Sequence, residues 1–257
     1  MPMTPSQMVA FFKQQTELSL NASHKAKANK NYDLSAFNLN RSFSTYLMAG
    51  LIQWRHELAN PSFEIRNALA LAGEMGLILD EIDTSRFHKS IFDFGSAQLL
   101  SYTLDKKSTP NIPSTNEFGE GLDVGKDEIL RVLSGGLAIA LERGVPPAGW
   151  DEVIANLAHD KRMELVRETF TTYLTIIKQS RKHDFDAAIS AVEAAASLFR
   201  QRKRDNYFAG GLQTEGGGLD NDNVVDYRLA ALIRCCLPDE KQKLIPNECS
   251  IHIWKWS

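Results

Sequence analysis

Apolar residues recur at spacings of three and four along most of this chain, and that periodicity limits what it can fold into more than any other feature. Phe43, Leu47, Leu51, Trp54 and Leu58 make one such stripe, which Asn60-Pro61 ends. Ile65, Leu69, Ala72, Met75, Leu79 and Ile82 make the next. Pro61 is placed to open that helix, because its missing amide donor costs nothing in a first turn. Phe87, Ile91, Phe94 and Tyr102 carry a third stripe to about Asp105. Asp83-Thr84-Ser85 joins it to the second as an antiparallel helical hairpin.

The same spacing returns in Leu130, Leu133, Leu137 and Leu141, behind Asp127 and Glu128, whose charge suits a helix start. Arg143-Gly144-Val145-Pro146-Pro147 stops that helix with a cation, a glycine suited to a left-handed cap, and prolines. A short helix over Trp150 to Ala158 leads to a longer one carrying Met163, Val166, Phe170, Tyr173 or Leu174, and Ile177. Asp184 then caps a helix with Phe185, Ile189, Val192, Ala196 and Phe199, ending in Arg200 to Arg204. At the N-terminus, Pro5 to Leu20 reads as a helix with Met8, Phe11, Phe12 and Leu18 apolar, and the Lys, Asn and Ala of 21–31 read as a solvated connection. Ser250 to Trp256 alternates in the manner of a short C-terminal strand that packs Ile251 and Ile253 onto the body.

The expectation is therefore an all-α protein, an irregular stack of antiparallel helical hairpins, in a single domain over 1–257. Residues 106–125, with Pro110, Pro113, Gly119, Gly121 and Gly125, form a loop where a subdivision could fall. No fixed repeat is visible, so no named repeat family is implied.

With 257 residues the chain can bury a sizeable core, and 43% hydrophobic against 24% charged residues is ordinary globular usage. A net charge of -3 supplies no basic field for nucleic acid or for an anionic membrane surface. No secretory leader or membrane span is apparent, and three cysteines, Cys235, Cys236 and Cys249, make neither a disulfide framework nor a zinc site. A reducing cytoplasm is the expected address.

Motifs that could carry chemistry have plainer readings. His159-Asp160 and His183-Asp184 resemble metal-binding pairs, yet both fall at helix junctions where Asp caps, and the six histidines lack ligand spacing. Asp80-Glu81-Ile82-Asp83 lacks the second acidic motif that a magnesium-diphosphate site requires, and Asp220-Asn221-Asp222-Asn223 lacks the distal glutamate of a calcium loop. No Gly-x-Ser-x-Gly is present, and the glycine-rich loop lacks the Lys-Ser/Thr of a phosphate loop. Cys235 and Cys236 lie beside the apolar face of Val225, Leu229, Leu232 and Ile233, which makes at least one a core thiol. Trp254-Lys255-Trp256 reads as a C-terminal anchor. No catalytic residue, metal or cofactor is expected.

One stretch departs from the helical pattern. Five of the sixteen glycines fall within residues 210–218, followed by an acidic and amide run from Asp220 to Asp226 and an amphipathic helix over Val224 to Cys236. The glycines free the chain to cross the helical stack, leaving the acidic run at the surface and Tyr227 to Arg234 as a closing helix. Gly-Gly-Gly-Leu-Asp-Asn followed by Asn-Val-Val-Asp-Tyr-Arg-Leu-Ala-Ala-Leu resembles the mostly helical immunity proteins of bacterial polymorphic toxin systems, family forty-nine. The resemblance is specific over 206–234, and elsewhere rests on helical character.

What it implies is a cytoplasmic protein without catalysis that binds a cognate toxin domain and occludes its active site. Acidic residues would steer and hold a basic toxin such as a nuclease, and the candidates by charge are Asp80, Glu81, Asp83, Glu215, Asp220 and Asp222. The alternative is a helical adaptor or chaperone that holds a peptide or protein partner in a groove.

Overall fold

A computed structural model describes residues 3–79, 94–107, 126–157, 163–204 and 224–256. Among them the chain is all-α, with no strand. The helices are α1 (Pro5–Ala28), α2 (Tyr32–His56), α3 (Ser62–Leu79), α4 (Phe94–Asp105), α5 (Lys126–Arg143), α6 (Trp150–Leu157), α7 (Glu164–Arg181), α8 (Phe185–Arg204), α9 (Tyr227–Cys236) and the short α10 (Asp239–Gln242).

Thr4 and Gln7 close α1 with a reciprocal capping box, and Pro5 occupies its first turn. The helix runs on to Ala28, so only Asn29 to Asn31 connect it to α2, not the whole of 21–31. The polar stretch is helical because Lys and Ala are strong helix formers and its small residues are buried. Ser23 meets the Ser35 hydroxyl of α2 at 2.9 Å. Thr16 meets Thr45 at 2.7 Å and Arg41 donates to Gln15 at 3.2 Å, so residue numbers fall on α2 as they rise on α1 and the pair is antiparallel. Lys13 pairs with Glu64 and Lys27 with Glu74, which sets α3 parallel to α1 along its other flank.

Two apolar clusters form. The first gathers α1, α2 and α3 with Phe94, Ala97, Leu100 and Leu104 of α4. The second gathers α5 to α8 with Leu99 and Tyr102 from the other face of α4. Helix α9 feeds both, giving Tyr227 and Ala230 to the first and Leu229, Ala231, Leu232 and Ile233 to the second. All seven residues from Tyr227 to Ile233 are buried. The expected amphipathic closing helix is thus a core helix, which is what a helix enclosed on every side becomes.

Helices α4 and α5 cross where both are smallest. A Cβ placed on Gly95 would sit 2.3 Å from the amide nitrogen of Gly135 and 2.6 Å from its Cα, so only glycine admits this approach. At the α5 terminus Gly144 adopts the left-handed cap expected of it (φ 82°). Asp184 caps α8 by accepting from the Ala187 amide at 3.2 Å, which gives that His-Asp pair its structural role.

The C-terminal segment is not a strand. Asn247–His252 is a 3-10 helix, and the residues after it carry Trp254 and Trp256 onto Trp54, at ring separations of 4.9 and 6.1 Å. Alternation predicted an extended segment, but a strand needs a partner ladder and the body offers only helix surfaces. The anchoring role holds, and Ile251 and Ile253 are packed against the two clusters as expected.

Replacing glycine by alanine in an ordinary helix interior stabilises by about 0.5–1 kcal/mol. At Gly95 the sign reverses. Gly95→Ala forces two backbones apart, and urea unfolding is expected to show a loss of about 2 kcal/mol or more.

Candidate functional site

The six acidic residues singled out by charge, Asp80, Glu81, Asp83, Glu215, Asp220 and Asp222, lie outside the described residues, as do His159-Asp160 and the glycine-rich loop. Within the described residues three features carry chemistry or recognition: a polar anchor at the start of α9, a cavity at its end, and an apolar seam between α1 and α2.

The anchor begins with Asp226, which the surface reading of the acidic run misplaces, since it is only 2% exposed. Its Oδ1 accepts from the Leu229 amide at 3.0 Å, capping α9, and its Oδ2 accepts from the Tyr173 hydroxyl at 2.5 Å. A carboxylate at a helix N-terminus that receives a phenol and an amide is stabilised in its charged form by both. Tyr227 donates to Ser96 at 2.8 Å, and the buried Arg228 donates through Nε to Ser134 at 2.8 Å. Ser96 and Ser134 flank the Gly95–Gly135 crossing, so the close approach of α4 and α5 also delivers two hydroxyls to α9. The Arg228 guanidinium lies 4.7 Å from the centre of the Tyr227 ring.

At the other end of α9, a cavity of about 510 Å³ opens between α4, α5, α7 and α9. Its lining comes from the last turns of all four helices and the residues just after them. Tyr102, Leu141 and Ile177 form apolar wall; Ser180, Cys235 and Cys236 add hydroxyl and thiols; Lys106, Lys107, Arg181 and Glu142 stand around it. Cations are favoured at helix C-termini, which accounts for part of this positive set. Lys106 reaches Asp239 at 3.0 Å and Arg181 donates to the Glu142 carbonyl at 3.3 Å.

Burial pushes the Cys235 thiol up to about 11, against a smaller opposing pull from Arg234 and Lys106. Burial and the neighbouring Cys235 push Cys236 up to about 12. Both are therefore protonated near neutrality and make poor nucleophiles. Cys235 instead lies 3.7 Å from the Tyr102 carbonyl as a weak donor.

The seam is built from exposed apolar side chains. Phe11 and Leu18 stand four before and three after Gln15 on α1; Leu34 and Phe37 stand seven and four before Arg41 on α2. The Arg41 to Gln15 hydrogen bond therefore brings the two faces side by side, away from the flank that α1 gives to α3. Their exposures are 42%, 58%, 48% and 57%. Helical periodicity marks Phe11 and Leu18 as apolar positions of α1 without telling that they are exposed, and does not mark Leu34 and Phe37; the hydrogen bond between helices shows which side the four share.

Among the described residues, no group of three His, Cys, Asp or Glu side chains is gathered to hold a metal ion, and no helix is long and apolar enough to cross a membrane. Neither a family model nor a curated protein nor a solved structure matches the chain.

Two outcomes follow for the anchor and the thiols. Asp226→Ala removes a cap and strands the buried Tyr173 hydroxyl, and denaturant unfolding is expected to show a loss of about 3 kcal/mol; Tyr173→Phe costs less, about 1–2 kcal/mol. The thiols have folded pKa values above the unfolded value of about 8.5, so the stability they contribute is complete below that pH. It declines as pH rises toward about 11 and 12, through preferential ionisation of the unfolded chain. Thermal melts from pH 8 to 10.5 should fall more steeply for the native chain than for the Cys235→Ala, Cys236→Ala variant.

Proposed function

We propose that this chain is a non-catalytic binding protein of the immunity type, which docks on a cognate toxin domain and occludes its active site. The observation that carries the reading is the α1–α2 seam. Four large apolar side chains exposed together on two rigid, antiparallel helices, with an arginine between them, are what a protein partner's surface buries. The resemblance over 206–234 supplies the kind of partner. Asp80, Glu81, Asp83, Glu215, Asp220 and Asp222 are the charges proposed to steer a basic partner, acting on association more than on final affinity. No cofactor, nucleic acid or membrane takes part in this reading, and its setting is the cytoplasm.

An apolar seam between two helices also suits a peptide helix laid into a groove, which is the adaptor reading. Co-expression with the adjacent open reading frame separates the two. Rescue from that product's toxicity, with co-purification, supports immunity; co-purification with a harmless product supports the adaptor; the absence of both contradicts docking on that partner.

That variant is Leu18→Glu with Phe37→Glu. Both side chains are exposed, so circular dichroism and the melting temperature should stay close to native. Affinity for the partner, read by calorimetry, is expected to fall about a hundredfold or more, as for the loss of a buried hot spot. Unchanged affinity would place the interface elsewhere.

A further inference from the structure

The cavity at the C-terminal end of α9 has no part in partner docking on α1 and α2, and its lining is uneven in a way that packing does not explain. Several buried hydroxyls among the described residues are satisfied by their own helices. Thr16, Ser42, Thr103, Ser134 and Thr169 each donate to the carbonyl four residues back, at 2.6 to 3.1 Å. Ser180 is 8% exposed and lines the cavity, and its Oγ has no hydrogen-bond partner. Leaving a buried hydroxyl without a partner is costly, and a bound polar group would offset that cost.

The charges are also more than the helix ends require. Lys106 is answered by Asp239, and one guanidinium nitrogen of Arg181 by the Glu142 carbonyl. The remaining donors of Arg181 and the exposed ammonium of Lys107, whose charge also acts on Asp105, stand at the mouth beside a wall made of Tyr102, Leu141 and Ile177. The Arg181 guanidinium packs over Gly144, where a Cβ would lie 2.2 Å from its central carbon.

We infer that this cavity is a binding site for a small amphipathic anion, a phosphate monoester or carboxylate with an apolar or aromatic body. The body lies on Tyr102, Leu141 and Ile177, the anionic head meets Arg181 and Lys107, and Ser180 supplies a hydroxyl to it. A volume of about 510 Å³ is in the range of small-molecule sites. The protonated thiols of Cys235 and Cys236 present no negative charge to the head, and the one carboxylate of the lining, Glu142, is outnumbered by Lys106, Lys107 and Arg181.

Phenyl phosphate is the probe, with benzoate as the carboxylate arm and inorganic phosphate and phenol as half-ligands, each titrated into the full chain by calorimetry. Phenyl phosphate or benzoate should bind at least tenfold more tightly than either half-ligand, and which of the two is tighter identifies the head group. Lys107→Met, which changes only an exposed side chain, should weaken binding about threefold to tenfold, and Ser180→Ala should weaken it further. Arg181→Met should weaken it more than tenfold, with its fold checked by circular dichroism. No saturable binding of either aromatic anion, or binding that Lys107→Met and Ser180→Ala both leave unchanged, would overturn the assignment. Because none of these substitutions touches the seam, their outcome is independent of partner docking.

Discussion

The hydrogen bond from Tyr173 to the buried carboxylate of Asp226 is the interaction on which the arrangement of helices depends. Helix α9 is buried on every side from Tyr227 to Ile233, so it does not rest on a surface but is enclosed by other helices. Apolar contact alone would leave such a helix free to slide or rotate, since dispersion and burial are not directional. Asp226 fixes its start against α7, and Tyr227 and Arg228 fix its rotation against Ser96 and Ser134. These bonds are few, but each is buried, and leaving any partner unpaired is costly.

From that anchor the rest of the geometry follows. Gly95 and Gly135 let α4 and α5 approach closely enough for Ser96 and Ser134 to reach one guanidinium and one phenol. The α4 faces then serve two apolar clusters, with α1 to α3 on one side and α5 to α8 on the other. Ten residues further along, at about 1.5 Å per residue, α9 ends beside three other helix ends and the cavity opens. The apolar seam lies on the first cluster's outer surface, where α1 and α2 are joined by side-chain bonds along their length. The protein thus carries an exposed apolar seam on the side of one cluster and an open, partly polar cavity beside the other.

Much of this was legible in the sequence, because periodicity reports burial directly. The stripes through Phe43 to Trp54, Leu133 to Leu141 and Phe170 to Ile177 are buried as their spacing demands. The caps at Gly144 and Asp184 follow from local chemistry that tertiary context did not override. What was missed has a common cause. The 21–31 stretch looks solvated by composition, yet Ser23 and Ala26 are small enough to bury against α2. Asp226 looks like the end of an acidic run, yet its carboxylate is spent inside on a tyrosine 53 residues away. Ser96 and Ser134 are unremarkable in sequence, and only the adjoining glycines in mid-helix hint at a tight crossing. Such contacts between distant residues leave no periodic trace. The acidic candidates at 80–83 and 215–222 lie outside the described residues, so the seam and cavity came from geometry, not from charge.

Native-state hydrogen exchange of the α9 amides tests most directly the claim that one buried helix clamps both clusters. If it does, the amides of Leu229 to Ile233 exchange only through global unfolding, at the same free energy as the best-protected amides of α2 and α7. Exchange of the α9 amides at a free energy well below that of both α2 and α7 would contradict it, since the helix would then open while the two clusters remain folded.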